Sequence, residues 1–428
     1  MAAENIVMMS ATDTAAAIKA KTFSPVDAVQ AYLDRIDRLD SRLSAYITVC
    51  HEEALDAAEQ AKLSLARGDE LGPLFGVPIA IKDQFWTAGI LTTNGSKVYE
   101  DFIPNEDSTV VSRLKQAGGI LLGKLNLSEL AMGGTQNPPW GIPGNPWDLE
   151  RTPGESSSGS GVALAAHLCA ASIGEDTGGS GRGPAAYCGV VGLRPTFTRV
   201  SRFGMTPMCW FMDAAAPMTK TVQDCALVLG AIAGFDPKDL YTSHKPVPDY
   251  TESLDQGVQG LRVGLIKELH ESVDMHPEVK QAIELSLEVF REQGADIQEV
   301  SIPLIPFAGA IFVGIADTEG AGARDEILRD QPENLDRASR TRLQSAALMP
   351  AKIYNRATRA RVLLRRQFME ALGQVAEKYA LLQMGHVTTR ENIQFSHLAL
   401  SECADILRLI GQAGLTTRDA CANTVRNV

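Results

Sequence analysis

The chain has 428 residues, of which 45% are hydrophobic and 21% charged, a composition typical of a folded globular protein that excludes whole-chain disorder. Its formal net charge of −12 argues against a broad surface for nucleic acid or anionic membranes, because such surfaces need clustered Lys and Arg. We therefore expect neither a direct nucleic-acid partner nor a membrane partner. The one basic run, residues 356–366, is typical of a solvated helix face.

The cysteines predict neither a disulfide framework nor a metal site. There are seven, they are scattered along the chain, and none are spaced as Cys-x-x-Cys. The first residues lack a basic segment followed by an apolar core, and no run of about 18 apolar residues occurs that would span a membrane. These features predict a cytoplasmic protein.

The amino-terminal part alternates helical and strand patterns. Ser24 is an N-cap followed by proline, and apolar residues recur at helical spacing behind it, which predicts a helix near residues 25–39. A second helix, near residues 52–67, ends at a glycine. A loop rich in Gly and Pro then leads into a strand at residues 79–82.

The middle of the chain continues this alternation. A helix that starts near residue 108 is stopped by two glycines and precedes an apolar strand at residues 120–122. After a loop rich in Gly and Ser at residues 154–161, the pattern predicts a helix over residues 162–170 and a buried strand over residues 171–174. The loop would thus lie at a helix N-terminus, where backbone N–H groups are free.

Further on, strands at residues 261–266 and 297–300 flank an amphipathic helix over residues 276–293. Residues 305–375 are expected to be mostly helical. No linker or repeat interrupts residues 1–383, which we expect to form one domain. The alternation of strands and helices predicts an α/β fold with a large mixed central sheet flanked by helices.

Two glycine- and serine-rich segments stand out, residues 152–161 and 174–184. A phosphate loop is the obvious rival explanation of the first. Gly154 and Gly159 have the required spacing, but the next residue is Ser160 rather than lysine. Neither segment contains the G-x-G-x-x-G pattern of dinucleotide-binding proteins, so phosphate binding is not supported.

The second segment is suited to nucleophilic catalysis. Consecutive glycines before Ser180 allow a tight turn whose N–H groups converge on one point, as an oxyanion requires, and the serine could attack a carbonyl held there. The seven histidines form no recognisable constellation for a base, and the G-x-S-x-G elbow is absent. Lys82 follows an apolar strand, and burial there would keep its amine neutral and basic.

Three motifs in the right order resemble the amidase signature family: G-V-P-I-A-I-K-D, T-P-G-E-S-S-S-G-S-G and D-T-G-G-S-G-R-G-P-A-A-Y-C-G-V-V-G-L-R-P-T. The resemblance implies a triad in which Lys82 is the base, Ser156 in an unusual cis peptide is the relay, and Ser180 is the nucleophile. The site residues that it further implies are the oxyanion-hole residues Thr177, Gly178, Gly179 and Ser180, the substrate-binding residues Ala131, Met132 and Gly133, and the loop-supporting residues Asp176 and Arg182.

The family's chemistry implies an amidohydrolase that cleaves the C–N bonds of linear amides through a seryl acyl-enzyme, with a small-molecule amide as substrate and no metal or organic cofactor. A related alternative is the glutaminase component of a tRNA-dependent amidotransferase, its A subunit, which residues 145–151 resemble. The expected assembly is a homodimer or a complex with an amidotransferase partner subunit. The third alternative is a catalytically silent protein that keeps the fold as an interaction module.

Two acidic residues depart from the family pattern near the triad. Glu155 stands where glycine is usual, and Glu175 replaces a small residue. A carboxylate at Glu155 would stabilise the charged form of Lys82 and weaken it as a base, or its side chain would strain a backbone suited to glycine. Either effect favours the silent alternative.

The family pattern stops near residue 383, so we expect a sheet that lacks its carboxyl-terminal part. Residues 384–428 instead resemble a fragment of the ferredoxin-like half-domain of nitrite and sulfite reductases, through residues 385–395 and 414–428. In those reductases such a segment helps to form the sirohaem pocket. This copy has only two cysteines, Cys403 and Cys421, so it cannot supply four thiolates to an iron–sulfur cluster, and we expect it to bind no cofactor.

Overall fold

The computed structural model describes residues 3–134, 138–252, 254–272 and 275–375, together with the residue pairs 386–387 and 393–394. The chain divides into two compact units. The first unit comprises Met1–Asp255 and Phe312–Tyr354, and the second comprises Gln256–Ile311 and Asn355–Val428.

The secondary structure of the described residues is mixed. The strands are β1 (Tyr46–Val49), β2 (Pro78–Lys82), β3 (Ile120–Leu125), β4 (Ala171–Glu175), β5 (Val191–Gly192), β6 (Ala215–Thr219), β7 (Arg262–Ile266), β8 (Asp296–Val300), β9 (His386–Val387) and β10 (Ile393–Gln394). The α-helices are α1 (Ala3–Met8), α2 (Ala11–Lys19), α3 (Pro25–Leu43), α4 (His51–Arg67), α5 (Thr109–Gln116), α6 (Ser158–Ala165), α7 (Arg182–Cys188), α8 (Val222–Ile232), α9 (Lys267–His270), α10 (Pro277–Glu292), α11 (Ala308–Gly322), α12 (Asp325–Asp330), α13 (Arg337–Ala347) and α14 (Ala351–Val375). Short 3₁₀ helices lie at Lys97–Tyr99, Glu129–Ala131, Ile305–Phe307 and Pro332–Asn334.

A six-stranded mixed sheet forms the centre of the first unit, with the spatial order β1-β3-β2-β4-β6-β5. The central strand β2 runs parallel to β3 and β4, whereas the remaining neighbours pair antiparallel. β2 and β4 are buried along their whole length. The predicted fold class, an α/β protein with a mixed central sheet flanked by helices, is confirmed.

Helix boundaries in the first unit follow the capping residues seen in the sequence. Ser24 caps α3 by accepting the N–H of Asp27, whose carboxylate in turn accepts the N–H of Ser24. Gly68 ends α4 in the left-handed conformation, at φ 78°. Two of the predicted helices are therefore confirmed with their signals, although α3 continues to Leu43.

The predicted helix over residues 162–170 is wrong at both ends, because α6 begins at Ser158 and ends at Ala165. Its first turn is made of serine and glycine, which are poor helix formers. Close packing explains why glycine stands in this turn: a Cβ on Gly159 would lie 2.4 Å from the carbonyl oxygen of Ala45 and 2.6 Å from the backbone nitrogen of Asn126. Residues 158–161 of the serine-rich segment are thus helix, and the residues before them are loop.

In the second unit, β7 and β8 pair in parallel, as a separate two-stranded sheet. With α10 between them in sequence, they confirm the predicted strand–helix–strand order. A small core of Val300, Ile302, Ala371 and Val375 lies in this unit. The reductase-like segment at residues 384–428 lies outside the described residues, apart from β9 and β10, so the domain boundary near residue 383 stays a prediction.

The basic run of residues 356–366 lies on helix α14. Arginines of the basic run, such as Arg359 and Arg365 on α14, are exposed, as a solvated helix face requires. Among the described residues, no helix is both long enough and apolar enough to cross a membrane.

Candidate active site

Lys82 ends β2 and is completely buried. Its Nζ lies 2.7 Å from Oγ of Ser156. Burial lowers the pKa of Lys82, although the nearby carboxylate of Glu175 opposes this effect. The structure therefore brings two of the three predicted triad side chains into direct contact.

Ser156 follows a cis peptide bond with Glu155, as the family resemblance implies. Its carbonyl oxygen accepts the N–H of Ser128 at 3.1 Å. The next residue, Ser157, is anchored to the end of β4, because its hydroxyl donates to the carbonyl of Glu175 and accepts the N–H of the same residue. These bonds hold Ser156 beside β4, the strand that leads to Ser180.

Ser180 is half-buried in the loop between β4 and α7. Its carbonyl oxygen accepts the N–H of Ser157 at 3.1 Å. Among the described residues, no hydrogen bond joins the hydroxyls of Ser180 and Ser156. The structure thus joins Ser180 through the backbone to Ser157, the neighbour of Ser156, but does not join the two hydroxyls of the predicted triad.

The predicted oxyanion-hole residues form this same loop. The N–H of Gly179 donates to the carboxylate of Asp176 at 2.8 Å, so this group is already engaged. The N–H groups of Thr177, Gly178 and Ser180 donate to no acceptor within the described part of the chain. A Cβ at Gly178 would lie 2.5 Å from the ring of Phe312, so only glycine fits there.

Asp176 holds the loop between β4 and α7 through hydrogen bonds to its backbone. It is buried, and its carboxylate accepts backbone N–H groups of residues 179, 181 and 182 together with the guanidinium of Arg182. Although burial raises it, hydrogen bonds and the charge of Arg182 keep the pKa of Asp176 below its ordinary value. A second guanidinium, that of Arg194, lies 3.3 Å away, a contact that the sequence did not predict.

Glu155 does not act on Lys82 as expected. Its side chain is exposed, and its carboxylate accepts the N–H of Gly134. Glu155 is absent from the non-glycine residues with a positive φ, so its φ is not one that favours glycine. The predicted effect of this residue on Lys82 is wrong, because its carboxylate contacts Gly134 rather than the amine.

Glu175, instead, is the acidic residue whose carboxylate contacts the amine of Lys82. It ends β4, is completely buried, and lies 3.1 Å from Nζ of Lys82. Its other oxygen contacts the hydroxyl of Thr177, which lies 2.7 Å from a carboxylate oxygen of Asp213. Burial, together with the charge of Glu175, raises the pKa of Asp213 to about 7.

Sequence reasoning noted Glu175 only as a departure and missed Asp213. One signal was present: β2 ends at Lys82, the predicted base, and β4 ends at Glu175, just before the loop of Ser180. Their parallel pairing places Ile81 opposite Ile173, so the next residues of both strands emerge at the same edge of the sheet.

The predicted substrate-binding residues, Ala131, Met132 and Gly133, follow β3 and lie beside the relay segment. A Cβ on Gly133 would lie 2.6 Å from the carboxylate of Glu155. The carbonyl of Met132 accepts from the guanidinium of Arg342, a further contact that the sequence did not reveal. The residues are therefore near the triad, and their role in binding stays a prediction.

Comparison with known proteins places this arrangement in context. A family model described as Amidase matches residues 27–394. The A subunit of a glutamyl-tRNA(Gln) amidotransferase from Geobacter sulfurreducens is 49% identical over 300 residues, which cover 70% of this chain and 61% of the relative. The corresponding protein from Geobacter sp. strain M21 is 46% identical over 306 residues, which cover 71% of this chain and 62% of the relative. The chain thus spans about three fifths of the length of these relatives.

Solved structures share the fold. The native peptide amidase from Stenotrophomonas maltophilia is 34% identical, with a TM-score of 0.74, and the match covers 82% of this chain and 78% of that one. A structure described as part of a vestigial protein complex, which reveals the evolutionary origins of an s-triazine catabolic enzyme, is 33% identical, with a TM-score of 0.80. That match covers 85% of this chain and 79% of the other.

Proposed function

This chain belongs to the amidase family, and from that membership we propose that it cleaves the C–N bond of a carboxamide through an acyl-enzyme on Ser180. The observation that carries the proposal is the contact between Lys82 and Ser156. A completely buried amine 2.7 Å from a serine hydroxyl is what a neutral lysine base requires, because burial disfavours the charged form.

In the proposed reaction, Oγ of Ser180 attacks the carbonyl carbon while its proton passes to Ser156, whose own proton passes to Nζ of Lys82. The backbone N–H groups of Thr177, Gly178 and Ser180 stabilise the oxyanion, and that of Gly179 holds the loop through Asp176. The ammonium of Lys82 then returns its proton through Ser156 to the leaving amine. Water releases the acyl group, and no metal or organic cofactor enters the scheme.

The amide that we propose is the side-chain carboxamide of glutamine, with the chain acting as the A subunit of a glutamyl-tRNA(Gln) amidotransferase. The relatives at 46% and 49% identity, which carry that name, support this assignment over that of a general amidase. The expected partner is a second amidotransferase subunit that uses the released ammonia. The cytoplasmic location predicted from the sequence suits this role and stays a prediction.

A stand-alone hydrolase of linear amides is the second candidate, favoured by the 34% identity to a peptide amidase. Ammonia release from glutamine, compared with release from acetamide, propionamide and aryl amides, separates the two, with Ser180→Ala as the blank. Preference for glutamine supports the amidotransferase role, and preference for the other amides supports the stand-alone hydrolase. A folded protein that releases ammonia from none of them is the catalytically silent alternative.

A further inference from the structure

The carboxyl group of Glu175 occupies a position between the base and a second buried acid. One oxygen lies 3.1 Å from Nζ of Lys82, and both side chains are completely buried. The other oxygen contacts the hydroxyl of Thr177, which also lies 2.7 Å from Asp213. Four side chains thus form a continuous polar chain from Asp213 to the amine that faces Ser156.

The hydroxyl of Thr177 has one proton but contacts two carboxyl groups. It donates to one of them, and the other contact is a hydrogen bond only if that carboxyl carries a proton. We assign this proton to Asp213, because burial and the charge of Glu175 raise the pKa of Asp213 to about 7. One oxygen of Glu175 can then accept the hydrogen bond of Thr177 while the other faces the amine of Lys82.

Other charged groups face this chain. Asp176 is neutralised by Arg182 and Arg194. The completely buried guanidinium of Arg324 donates to the carbonyls of residues 130, 207 and 320, and is attracted by Asp213 and Glu175. Among the described residues, Glu175 is the carboxylate in direct contact with Nζ of Lys82.

We propose that Glu175, held through Thr177 by Asp213, is a positioning residue that acts through Lys82: it orients the amine toward Ser156 and sets the pH at which this lysine becomes a base. When Lys82 accepts the proton of Ser156, the ammonium forms 3.1 Å from the carboxyl group of Glu175, where both side chains are completely buried. The inference rests on the proposed function, since it assumes that Lys82 is the base.

A direct test is the titration of Lys82, followed by NMR in protein labelled with ¹³C at the lysine ε-carbon and assigned with Lys82→Ala. Glu175→Gln keeps the size of the side chain but removes its charge, so the titration of Lys82 should move to lower pH by about 1 to 3 units. Glu175→Ser, which restores a small residue as in the family pattern, should give the same shift if the first variant does not fold.

Asp83→Asn is the matched control, because Asp83 and Lys124 form an equally buried pair, at 3.0 Å. This variant should leave the titration of Lys82 in place. In parallel, we expect the pH dependence of the rate at which a fluorophosphonate labels Ser180 to shift in the Glu175 variants. The shift should equal that of the Lys82 titration. A reduced rate with an unmoved Lys82 titration would show a merely structural role and overturn the inference. If the native protein neither hydrolyses amides nor labels, the proposed function fails, while the titration still decides the role of Glu175.

Discussion

Lys82 and Ser156 come from distant segments of the chain, yet Nζ of one lies 2.7 Å from Oγ of the other and both side chains are buried. The lysine ends a strand in the middle of the sheet, and the serine is held by the N–H of Ser128. Ser180, the proposed nucleophile, lies in a loop, and its carbonyl accepts the N–H of Ser157. Within the described part of the chain, Lys82 and Ser156 are thus in direct contact, whereas no hydrogen bond joins the hydroxyl of Ser180 to either of them.

Replacing the relay should remove activity without unfolding the protein. In Ser156→Ala the proton of Ser180 has no path to Lys82, and we expect kcat/KM to fall by about a hundredfold or more. Ser160→Ala is the matched control, since this buried hydroxyl has no hydrogen-bond partner among the described residues and its loss costs little. Similar rates of ammonia release from glutamine by the two variants would exclude Ser156 as a proton relay.

The pH dependence should show a basic group. Because burial lowers the pKa of Lys82, its neutral form is reached below the ~10.4 of an ordinary lysine. The value of kcat/KM should therefore rise with pH as Lys82 loses its proton and fall on the acid side as it gains one. A profile that stays flat from mildly acidic to alkaline pH would contradict a lysine base.

Glu155→Gly should leave the fall of kcat/KM on the acid side unchanged, because the Glu155 carboxylate contacts the N–H of Gly134 rather than Lys82. The substitution frees the segment at residues 131–134, so we expect KM to rise while the apparent pKa in the kcat/KM profile stays in place. Kinetics of ammonia release across the pH range measure both quantities. If kcat/KM instead fell only at lower pH in this variant, the Glu155 carboxylate would act on the pKa of Lys82 after all.

The reductase-like segment, residues 384–428, should carry no redox centre. It supplies only Cys403 and Cys421, too few thiolates for an iron–sulfur cluster. Protein purified without oxygen should be colourless and free of iron, as absorption spectra and metal analysis would show. Stoichiometric iron or a sirohaem band would reverse this prediction.

The sequence predicted the sheet and the segments of the site because these depend on local signals. Apolar runs, caps such as Ser24, and ordered motifs locate β2, β4 and the serine loops. The start of α6 could not be predicted, since Gly159 packs against the backbones of Ala45 and Asn126, which are distant in sequence. Tertiary packing overrides intrinsic helix propensity at that point.

The sequence also does not show which of the two acidic residues, Glu155 or Glu175, contacts Lys82. Sequence alone shows that Glu155 and Glu175 both lie near catalytic serines, but not which way each side chain points. The end of β4 directs Glu175 to Lys82, whereas Glu155 turns outward to Gly134. Contacts from Asp213 and Arg342 were beyond prediction, because they come from segments with no recognised motif.

The central claim is that Ser180 is a nucleophile activated through Ser156 by Lys82. Its most direct test is covalent labelling by a fluorophosphonate, with the modified residue located by mass spectrometry of the native protein and of Lys82→Ala. We predict a single adduct on Ser180 that forms faster as pH rises and forms at least about a hundredfold more slowly in Lys82→Ala. Folded native protein that gains no adduct on Ser180, or that labels at the same rate after Lys82→Ala, would contradict the claim.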